Sequence, residues 1–296
     1  MEMNSFMAHD TAHDAALGSA PEDIAGAIDF DPVKDPWHVG EVRLHSRFLL
    51  GTAGYPSPQQ LHDAIVASGS QVVTVGLKRT LAAAGDNGHV AMIREALLRT
   101  GARLLPNTAG CRSAREAVQL ARMAREIYDT PWVKLEVVGD EHTLQPDPHE
   151  LLIAAEQLVR DGFTVFPYCT DDLVTCRRLL DVGCPLLMPW GAPIGSGQGL
   201  INPYALRVLR ERLPDAVLII DAGIGAPSHA AQALEMGFDA VLLNSAVSQA
   251  REPVAMARAF RLAIEAGRTA RRAGVMAAQD FAVASTPVGG EPVLLG

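Results

Sequence analysis

The sequence predicts an α/β protein built as a single (β/α)8 barrel, and three observations lead to this fold class. From residue 43 onward the 296-residue chain repeats one unit eight times: a β-branched apolar run, a loop with Gly or Pro, and an amphipathic stretch of helix length. Strict alternation of strands and helices is typical of a parallel sheet with crossover helices. Eight units favour closure into a TIM barrel, because an open doubly wound sheet usually has fewer strands and its G-x-G-x-x-G fingerprint is absent here.

The predicted strands, in chain order, are residues 48–51, 72–75, 103–106, 133–138, 164–167, 185–189, 217–221 and 240–244. Several of the intervening helices have clear start signals. Ser113 with Glu116 three residues later predicts a capping box, and the pairs Asp147-Pro148 and Asn202-Pro203 each place an acceptor before a proline of the first turn. Glycines predicted to end helices are Gly69, Gly101, Gly162, Gly183 and Gly237.

Composition excludes several function classes. The chain has 25 basic and 34 acidic side chains and a net charge of -9. It therefore lacks the excess of positive charge that is typical of a protein that binds nucleic acid or an anionic membrane. No run approaches the ~20 apolar residues of a membrane span. The four cysteines and the histidines show no metal-ligand spacing, so we expect reduced thiols, a cytoplasmic protein and no metal site.

The first 42 residues carry most of the net charge. Residues 1–42 contain nine acidic residues and one basic residue, Lys34. The segment lacks the basic start and long apolar stretch of a secretory signal, and it is too acidic for a transit peptide. We therefore expect residues 1–42 to form an acidic, mobile arm, and residues 43–296 to form one catalytic domain with a C-terminal tail.

The fourth predicted strand places two charged residues on its barrel-facing side. A period of two puts Val133 and Leu135 toward the helices and Lys134 and Glu136 toward the interior. Desolvation lowers the pKa of a lysine, and bringing it from about 10.4 to near 7 takes about 4 kcal/mol. Such an amine can form an imine with a ketone or aldehyde. The alternative is a buried ion pair that serves only the core, although such a pair often adds no net stability over apolar packing.

The later strands end at candidate site residues. Asp221 closes the seventh strand, where a carboxylate at the barrel mouth can act as an acid or base, or equally can cap or tether the loop that follows. The loops after strands six, seven and eight, at 191–199, 222–225 and 244–246, are rich in small residues. Clustered glycines let backbone N–H groups approach an anion, and barrels often bind phosphate at the loops after strands seven and eight. These loops predict a phosphorylated small molecule as ligand.

An ordered series of motifs links the chain to a known family. The motifs are PNTAG at 106–110, VKLE at 133–136, LQPDP at 144–148, PYC at 167–169, MPWGAPIGSG at 188–197, DAGIG at 221–225, LLNS at 242–245 and ASTP at 284–287. In these motifs the chain resembles bacterial thiazole synthase, which forms the thiazole phosphate of thiamin, over about residues 51–287. Lys78 departs from the family pattern, which usually has Arg there.

The resemblance implies a TIM barrel that condenses 1-deoxy-D-xylulose 5-phosphate, dehydroglycine and sulfur, the sulfur arriving as the C-terminal thiocarboxylate of a small carrier protein. It implies that Lys134 forms the imine and that Glu136 and Asp221 transfer protons. The phosphate-binding positions implied by the resemblance are Gly195, Ala222, Gly223, Asn244 and Ser245. It also suggests a homo-oligomer, and none of these residues requires a metal or organic cofactor.

Two other functions fit the same residues. A class I aldolase-like barrel would use the same lysine and phosphate site but would make or break a carbon–carbon bond without sulfur. A non-catalytic scaffold would only bind the carrier or the sugar phosphate, although a scaffold has little reason to keep an amine in its core.

Overall fold

The structure, a computed structural model, describes residues 35–78, 93, 95 and 97–285. Residues 1–34 of the predicted arm and residues 286–296 of the predicted tail lie outside these ranges. Within them, eight parallel strands close into a barrel and pair in chain order, with helices between them. This arrangement confirms the predicted (β/α)8 fold.

The strands are the antiparallel pair β1 (Trp37–Val39) and β2 (Val42–Leu44), followed by the barrel strands β3 (Phe48–Gly51), β4 (Val72–Gly76), β5 (Arg103–Asn107), β6 (Trp132–Leu135), β7 (Thr164–Cys169), β8 (Leu186–Pro189), β9 (Val217–Asp221) and β10 (Ala240–Leu243). All eight predicted strands are present, with small differences at their ends. The largest difference is at β6, which was predicted to continue to residue 138 and ends at Leu135. Beyond that point a side chain, described below, takes the backbone hydrogen bonds in place of a strand partner.

The described helices of the barrel are α1 (Pro58–Ser68), α2 (Ala114–Tyr128), α3 (Pro148–Arg160), α4 (Leu173–Asp181), α5 (Pro203–Arg212), α6 (Pro227–Glu235), α7 (Ser245–Ser248) and α8 (Pro253–Ala273). No helix in the described part of the chain has both the length and the apolar character that a membrane span requires. The five glycines predicted to end helices all have positive φ angles, as a left-handed terminus requires.

The predicted helix starts are also observed. The Ser113 hydroxyl accepts the N–H of Glu116 at 3.3 Å, and the side chains of Asp147 and Asn202 cap α3 and α5 in the same way. In a capping box the Glu116 carboxylate would accept the backbone N–H of Ser113. It accepts instead the N–H of Arg112, the residue before Ser113, at 2.9 Å.

Two apolar layers hold the barrel together. The outer layer lies between strands and helices and includes Val133, Leu135 and Val137, and the inner layer fills the barrel and includes Trp132. This alternation confirms that the side of β6 carrying Lys134 faces the interior. Removing apolar surface from water contributes about 25 cal/mol per Å2, so the burial of these side chains is the main stabilising contribution to the fold.

The hairpin of β1 and β2 overlaps the predicted N-terminal arm. Trp37, Val39 and Leu44 are buried and belong to the inner layer of the barrel, and the Trp37 indole donates to the carbonyl of Ser46 at 2.9 Å. Alternate apolar residues on either side of Gly40, which has a φ of 55°, allow this hairpin to cover the barrel interior. The boundary predicted at residue 43 therefore falls inside an ordered hairpin, and the fold extends back at least to residue 37.

Candidate active site

A cavity of about 610 Å3 opens at the carboxyl ends of the barrel strands. Its wall contains all the predicted catalytic and phosphate-binding residues: Lys134, Glu136, Asp221, Gly195, Ala222, Gly223, Asn244 and Ser245. The volume suits a small phosphorylated molecule. The position is also the one that TIM-barrel enzymes use, because the loops after the strands converge there.

Three charged side chains meet at the base of this cavity. The Lys134 ammonium lies 2.9 Å from Oε1 of Glu136 and 2.7 Å from Oδ2 of Asp221. The three residues are only 4%, 5% and 2% exposed, respectively. Lys134 projects inward from β6, Glu136 follows two residues later on the same face, and Asp221 ends β9 across the barrel. The amine thus has a carboxylate on each of two sides in a site that excludes most water.

This arrangement corrects the predicted protonation of Lys134. Burial alone lowers the pKa of the amine, but the carboxylates of Asp221 and Glu136 outweigh burial and hold the pKa above its usual value. The predicted lowering of the lysine pKa is therefore wrong for this arrangement. Because the amine is charged here, it must lose a proton to a neighbouring group before it can act as a nucleophile.

Asp221 is suited to accept that proton. Burial raises the pKa of its carboxyl to about 6, against a lowering by the nearby ammonium of Lys134. A carboxylate with this pKa is ionised at neutral pH, yet it binds a proton more readily than an exposed aspartate does. The alternative role for Asp221, a cap or tether for its loop, does not explain why its carboxylate lies on the lysine.

Two residues of the PNTAG motif hold Glu136 and were not predicted to do so. The Asn107 amide donates from Nδ2 to Glu136 Oε1 at 2.9 Å. The Thr108 hydroxyl accepts the N–H of Glu136 at 2.8 Å and donates to its carbonyl at 2.9 Å. Thr108 therefore replaces the missing strand partner at the end of β6. Asn107 pairs with Lys134 in the β5–β6 register, a relation that a single sequence does not reveal.

Tyr168 of the PYC motif is a further residue that sequence reasoning missed. Its ring centre lies 5.7 Å from Lys134 Nζ, close enough for attraction between the cation and the ring. The hydroxyl is buried and has no hydrogen-bond partner in the described part of the chain. The signal was available, because Tyr168 has the same inward parity on β7 as the buried Phe166. Its neighbour Cys169 packs outward against the helices and is not in the cavity wall.

The glycine-rich loops form one side of the cavity. Gly195, Ala222 and Gly223 have φ angles of 74°, 67° and 77°, the left-handed region in which glycine is favoured and alanine is strained. A Cβ on Gly223 would lie 2.3 Å from the backbone nitrogen of Ala192. The loop after β9 is therefore packed directly on the loop after β8, which only glycine allows at this position.

The third loop of the cavity wall begins at Asn244. Its Nδ2 donates to the carbonyl of Ala53 at 2.9 Å, which ties the end of β10 to the loop after β3. Gly51 is required at the end of β3, because a Cβ there would lie 2.5 Å from the Cβ of Asn244. Ser245, the first residue of α7, lies beside Asn244 in the cavity wall. The predicted phosphate positions thus come together from three separate loops.

Lys78 lies on the opposite side of the wall. Its ammonium is 2.5 Å from Oε1 of Glu116 and donates to the carbonyl of Gly110 at 2.6 Å. The whole sequence contains three lysines, Lys34, Lys78 and Lys134. Of the two in the described ranges, Lys134 is the buried one.

Within the described residues, no group of three or more His, Cys, Asp and Glu side chains could hold a metal ion.

Residues 38–287 match the family described as "Thiazole biosynthesis protein ThiG". The chain belongs to this family. As a ThiG family member it is an enzyme of thiazole formation in thiamin biosynthesis, which confirms the resemblance seen in the motifs. The charged cluster lies within the matched region: Lys134 and Asp221 are on strands of the confirmed barrel, and Glu136 follows β6 directly.

Individual relatives of this ThiG family member cover most of the chain. The thiazole synthase of Coxiella burnetii (strain RSA 331 / Henzerling II) is 56% identical over 259 residues, 88% of this chain and 98% of that protein. The thiazole synthase of Ralstonia pickettii (strain 12J) is 58% identical over 262 residues, 88% of this chain and 94% of that protein. Among solved structures, the Amycolatopsis orientalis BexX/CysO complex matches with a TM-score of 0.74 and 30% identity, covering 83% of this chain and 99% of that chain.

Proposed function

We propose that the chain forms thiazole phosphate from 1-deoxy-D-xylulose 5-phosphate, dehydroglycine and the sulfur of a carrier-protein thiocarboxylate, through an imine on Lys134. The observation that carries the proposal is the buried amine of Lys134 between two carboxylates at the mouth of the barrel. The motif resemblance supplies the names of the three substrates. The catalytic unit is the single barrel domain assigned to residues 43–296, extended at its start to residue 37 so that it includes the whole hairpin of β1 and β2.

Imine formation begins with a proton transfer from the Lys134 ammonium to Asp221, whose carboxylate is 2.7 Å away. The free amine attacks the ketone carbon of the sugar, the carbonyl π pair moves to oxygen, and a proton passes from the nitrogen to that oxygen. The resulting hydroxyl leaves as water with the proton that Asp221 held, and the nitrogen lone pair forms the C=N bond of the protonated imine. Asp221 can return the proton that it accepted, so its raised pKa serves both directions of transfer.

Glu136 is placed for the next step. Its carboxylate takes a proton from C3, the hydroxyl-bearing carbon beside the imine. The C–H pair forms a C=C bond while the C=N pair returns to nitrogen, which gives an enamine that rearranges.

The enamine rearranges to a ketone at C3 with the Lys134 nitrogen still on C2, and the thiocarboxylate sulfur adds to that carbonyl. The carrier acyl group passes from sulfur to the C3 oxygen and leaves as the carrier carboxylate, so C3 keeps the sulfur. The sulfur adds to the C=N bond of dehydroglycine, the resulting amine closes the ring at C2 and displaces the Lys134 nitrogen, and the C4 hydroxyl leaves as water with the C3 hydrogen. Because both carboxylates are buried, they move protons without competition from bulk water.

The phosphate group is assigned to Gly195, Ala222, Gly223, Asn244 and Ser245. Gly195, Ala222 and Gly223 lie in left-handed turns, and Gly223 packs directly on Ala192. All five residues line the cavity, where backbone N–H groups can approach phosphate oxygens. Holding the phosphate at this side fixes the sugar in front of Lys134 and supplies the proximity contribution to the rate. The crystallised complex of BexX with CysO, a neighbour at 30% identity, supports a second protein as partner of this fold.

The decisive experiment is product formation with and without the carrier. Purified protein is incubated with 1-deoxy-D-xylulose 5-phosphate and dehydroglycine, plus either the carrier thiocarboxylate or the same carrier with a free carboxylate. We expect thiazole phosphate with the thiocarboxylate alone, and none from a Lys134→Ala variant whose folding has been checked. Carbon–carbon cleavage or condensation that ignores the carrier would favour the aldolase-like alternative. Binding of the sugar phosphate without any turnover would favour the scaffold.

A further inference from the structure

Asn107 has a place in the site that the proposed function does not use. It is the last residue of β5, lies in the cavity wall, and donates from Nδ2 to Glu136 Oε1 at 2.9 Å. The same oxygen is 2.9 Å from Lys134 Nζ. One carboxylate oxygen of Glu136 therefore receives both the amide and the amine, which fixes the plane of the carboxylate and leaves Oε2 as the oxygen without these two contacts.

The backbone holds this geometry from both sides. Asn107 and Lys134 are register partners of β5 and β6, and Thr108 bonds both the N–H and the carbonyl of Glu136. The N–H of Thr108 also donates to the carbonyl of Lys134 at 3.1 Å. Asn107 and Glu136 are thus carried by two segments that are tied together over consecutive residues, so the amide and the carboxylate keep their relative positions.

The amide of Asn107 can face Glu136 in one orientation only. A carboxylate accepts hydrogen bonds, so the NH2 group must point toward it and Oδ1 must point away. Oδ1 is buried and has no hydrogen-bond partner in the described ranges. Buried acceptors in proteins are nearly always paired, so this atom needs a donor that a bound molecule brings.

We propose that Asn107 is a positioning and specificity residue: it aims the Glu136 carboxylate at the carbon beside the imine, and its Oδ1 accepts the hydroxyl that this carbon carries. The proposal rests on the proposed function, in which Glu136 removes the C3 proton of the sugar. The C3 hydroxyl and the C3 hydrogen are on the same carbon, and Oδ1 and the Glu136 carboxylate are joined through the same amide. One substrate carbon therefore meets both groups. In the step itself the proton goes to Glu136 and the C–H electrons enter the C2=C3 bond, while Asn107 changes no bond.

The test separates imine formation from proton removal. Imine formation is followed by borohydride trapping of 1-deoxy-D-xylulose 5-phosphate and intact mass, and proton removal by deuterium exchange at C3 in D2O without carrier. For Asn107→Leu and for Asn107→Asp, which keeps the size but has no donor, we expect trapping at saturating sugar to stay within threefold of wild type. Exchange at C3 should be at least 30-fold slower in both. The near-isosteric Asn107→Asp variant decides the matter if Asn107→Leu does not fold.

The hydroxyl contact has its own measurement. A substrate analogue without the C3 hydroxyl should need at least tenfold more sugar for half-maximal trapping in wild type, and Asn107→Leu should no longer distinguish the two sugars. Asn202→Leu is the matched control, because Asn202 also donates from Nδ2 to a carboxylate, that of Asp171 at 2.7 Å, but lies outside the cavity wall. It should leave exchange unchanged.

The outcomes separate the two levels of the proposal. If wild type is trapped and both Asn107 variants exchange C3 at the wild-type rate, Asn107 has no positioning role and the inference is overturned while the proposed function stands. Equal discrimination against the analogue in wild type and Asn107→Leu overturns the hydroxyl contact. If wild type binds the sugar and is not trapped, the proposed function fails, and the inference fails with it.

Discussion

Replacing Lys134 by Met should destabilise the protein, and the loss should depend on pH. The substitution removes the one cation between Glu136 and Asp221 while keeping an unbranched side chain of similar length. Removing one partner of a buried ion pair costs about 3–5 kcal/mol, and here two carboxylates lose their partner. We therefore expect a loss near the upper end, about 5 kcal/mol at pH 8. That loss is a large part of the ~5–15 kcal/mol that a folded domain has.

Acidification should reduce this loss. Burial already raises the pKa of Asp221 from 3.8 to about 6, and removing the ammonium of Lys134 raises it further. Because the folded-state pKa lies above the unfolded one, the folded protein binds a proton that the unfolded chain lacks. Stability is therefore greatest at low pH and falls as pH rises through the folded pKa. With about 1.4 kcal/mol per pKa unit, a folded-state pKa above 6 means that the variant should regain at least about 1.4 kcal/mol between pH 7 and pH 5.

The assay is urea unfolding of wild type and Lys134→Met at pH 5, 6, 7 and 8, followed by circular dichroism. The Lys134→Met/Asp221→Asn double variant is the control, since it removes one of the two uncompensated charges with little change in volume. It should regain part of the stability at pH 8 and lose most of the pH dependence. A Lys134→Met protein as stable as wild type at pH 8, with no change on acidification, would refute the reasoning.

Three further results are expected. Cyanoborohydride trapping of the sugar imine should become faster as pH rises through about 6, because ionised Asp221 must take the lysine proton. Asp221→Asn should lose this rise. A flat pH profile in wild type would contradict the role of Asp221 as proton acceptor. Gly223→Ala should weaken sugar-phosphate binding at least about tenfold by calorimetry, because its Cβ would lie 2.3 Å from the Ala192 nitrogen; unchanged affinity would move the phosphate site elsewhere. Thr108→Val should cost about 2 kcal/mol in thermal unfolding, because it leaves the N–H and carbonyl of Glu136 unpaired, whereas Thr108→Ser should cost much less.

Much of the fold could be predicted because the barrel repeats one local pattern. Each strand is a short apolar run, and alternation along β6 was enough to separate Val133 and Leu135 from Lys134. The hairpin of β1 and β2 was missed because the acidic composition of the first 42 residues obscured a brief alternation around Gly40. Its signal was Trp37 and Val39, two apolar residues spaced by two before a glycine.

The candidate site was predictable wherever one strand or one loop carried the signal. Lys134 and Glu136 share a strand face, and the glycines of the phosphate loops are visible as clusters. The role of Asn107 depends on the register between β5 and β6, which no local pattern encodes. The lysine pKa was predicted in the wrong direction because burial was visible in the sequence, whereas the approach of Asp221 from across the barrel to 2.7 Å was not.

Imine formation by Lys134 can be measured directly, because the chain contains few lysines. The sequence contains three lysines, so replacing Lys34 and Lys78 by Arg leaves Lys134 as the single lysine side chain. This variant and the same variant with Lys134→Ala are incubated with 1-deoxy-D-xylulose 5-phosphate and borohydride, and the adduct is located by peptide mass mapping. We expect one adduct per chain on the Lys134 peptide and none without Lys134. An adduct that persists without Lys134, or no adduct on a variant that binds the sugar, would contradict imine formation by Lys134.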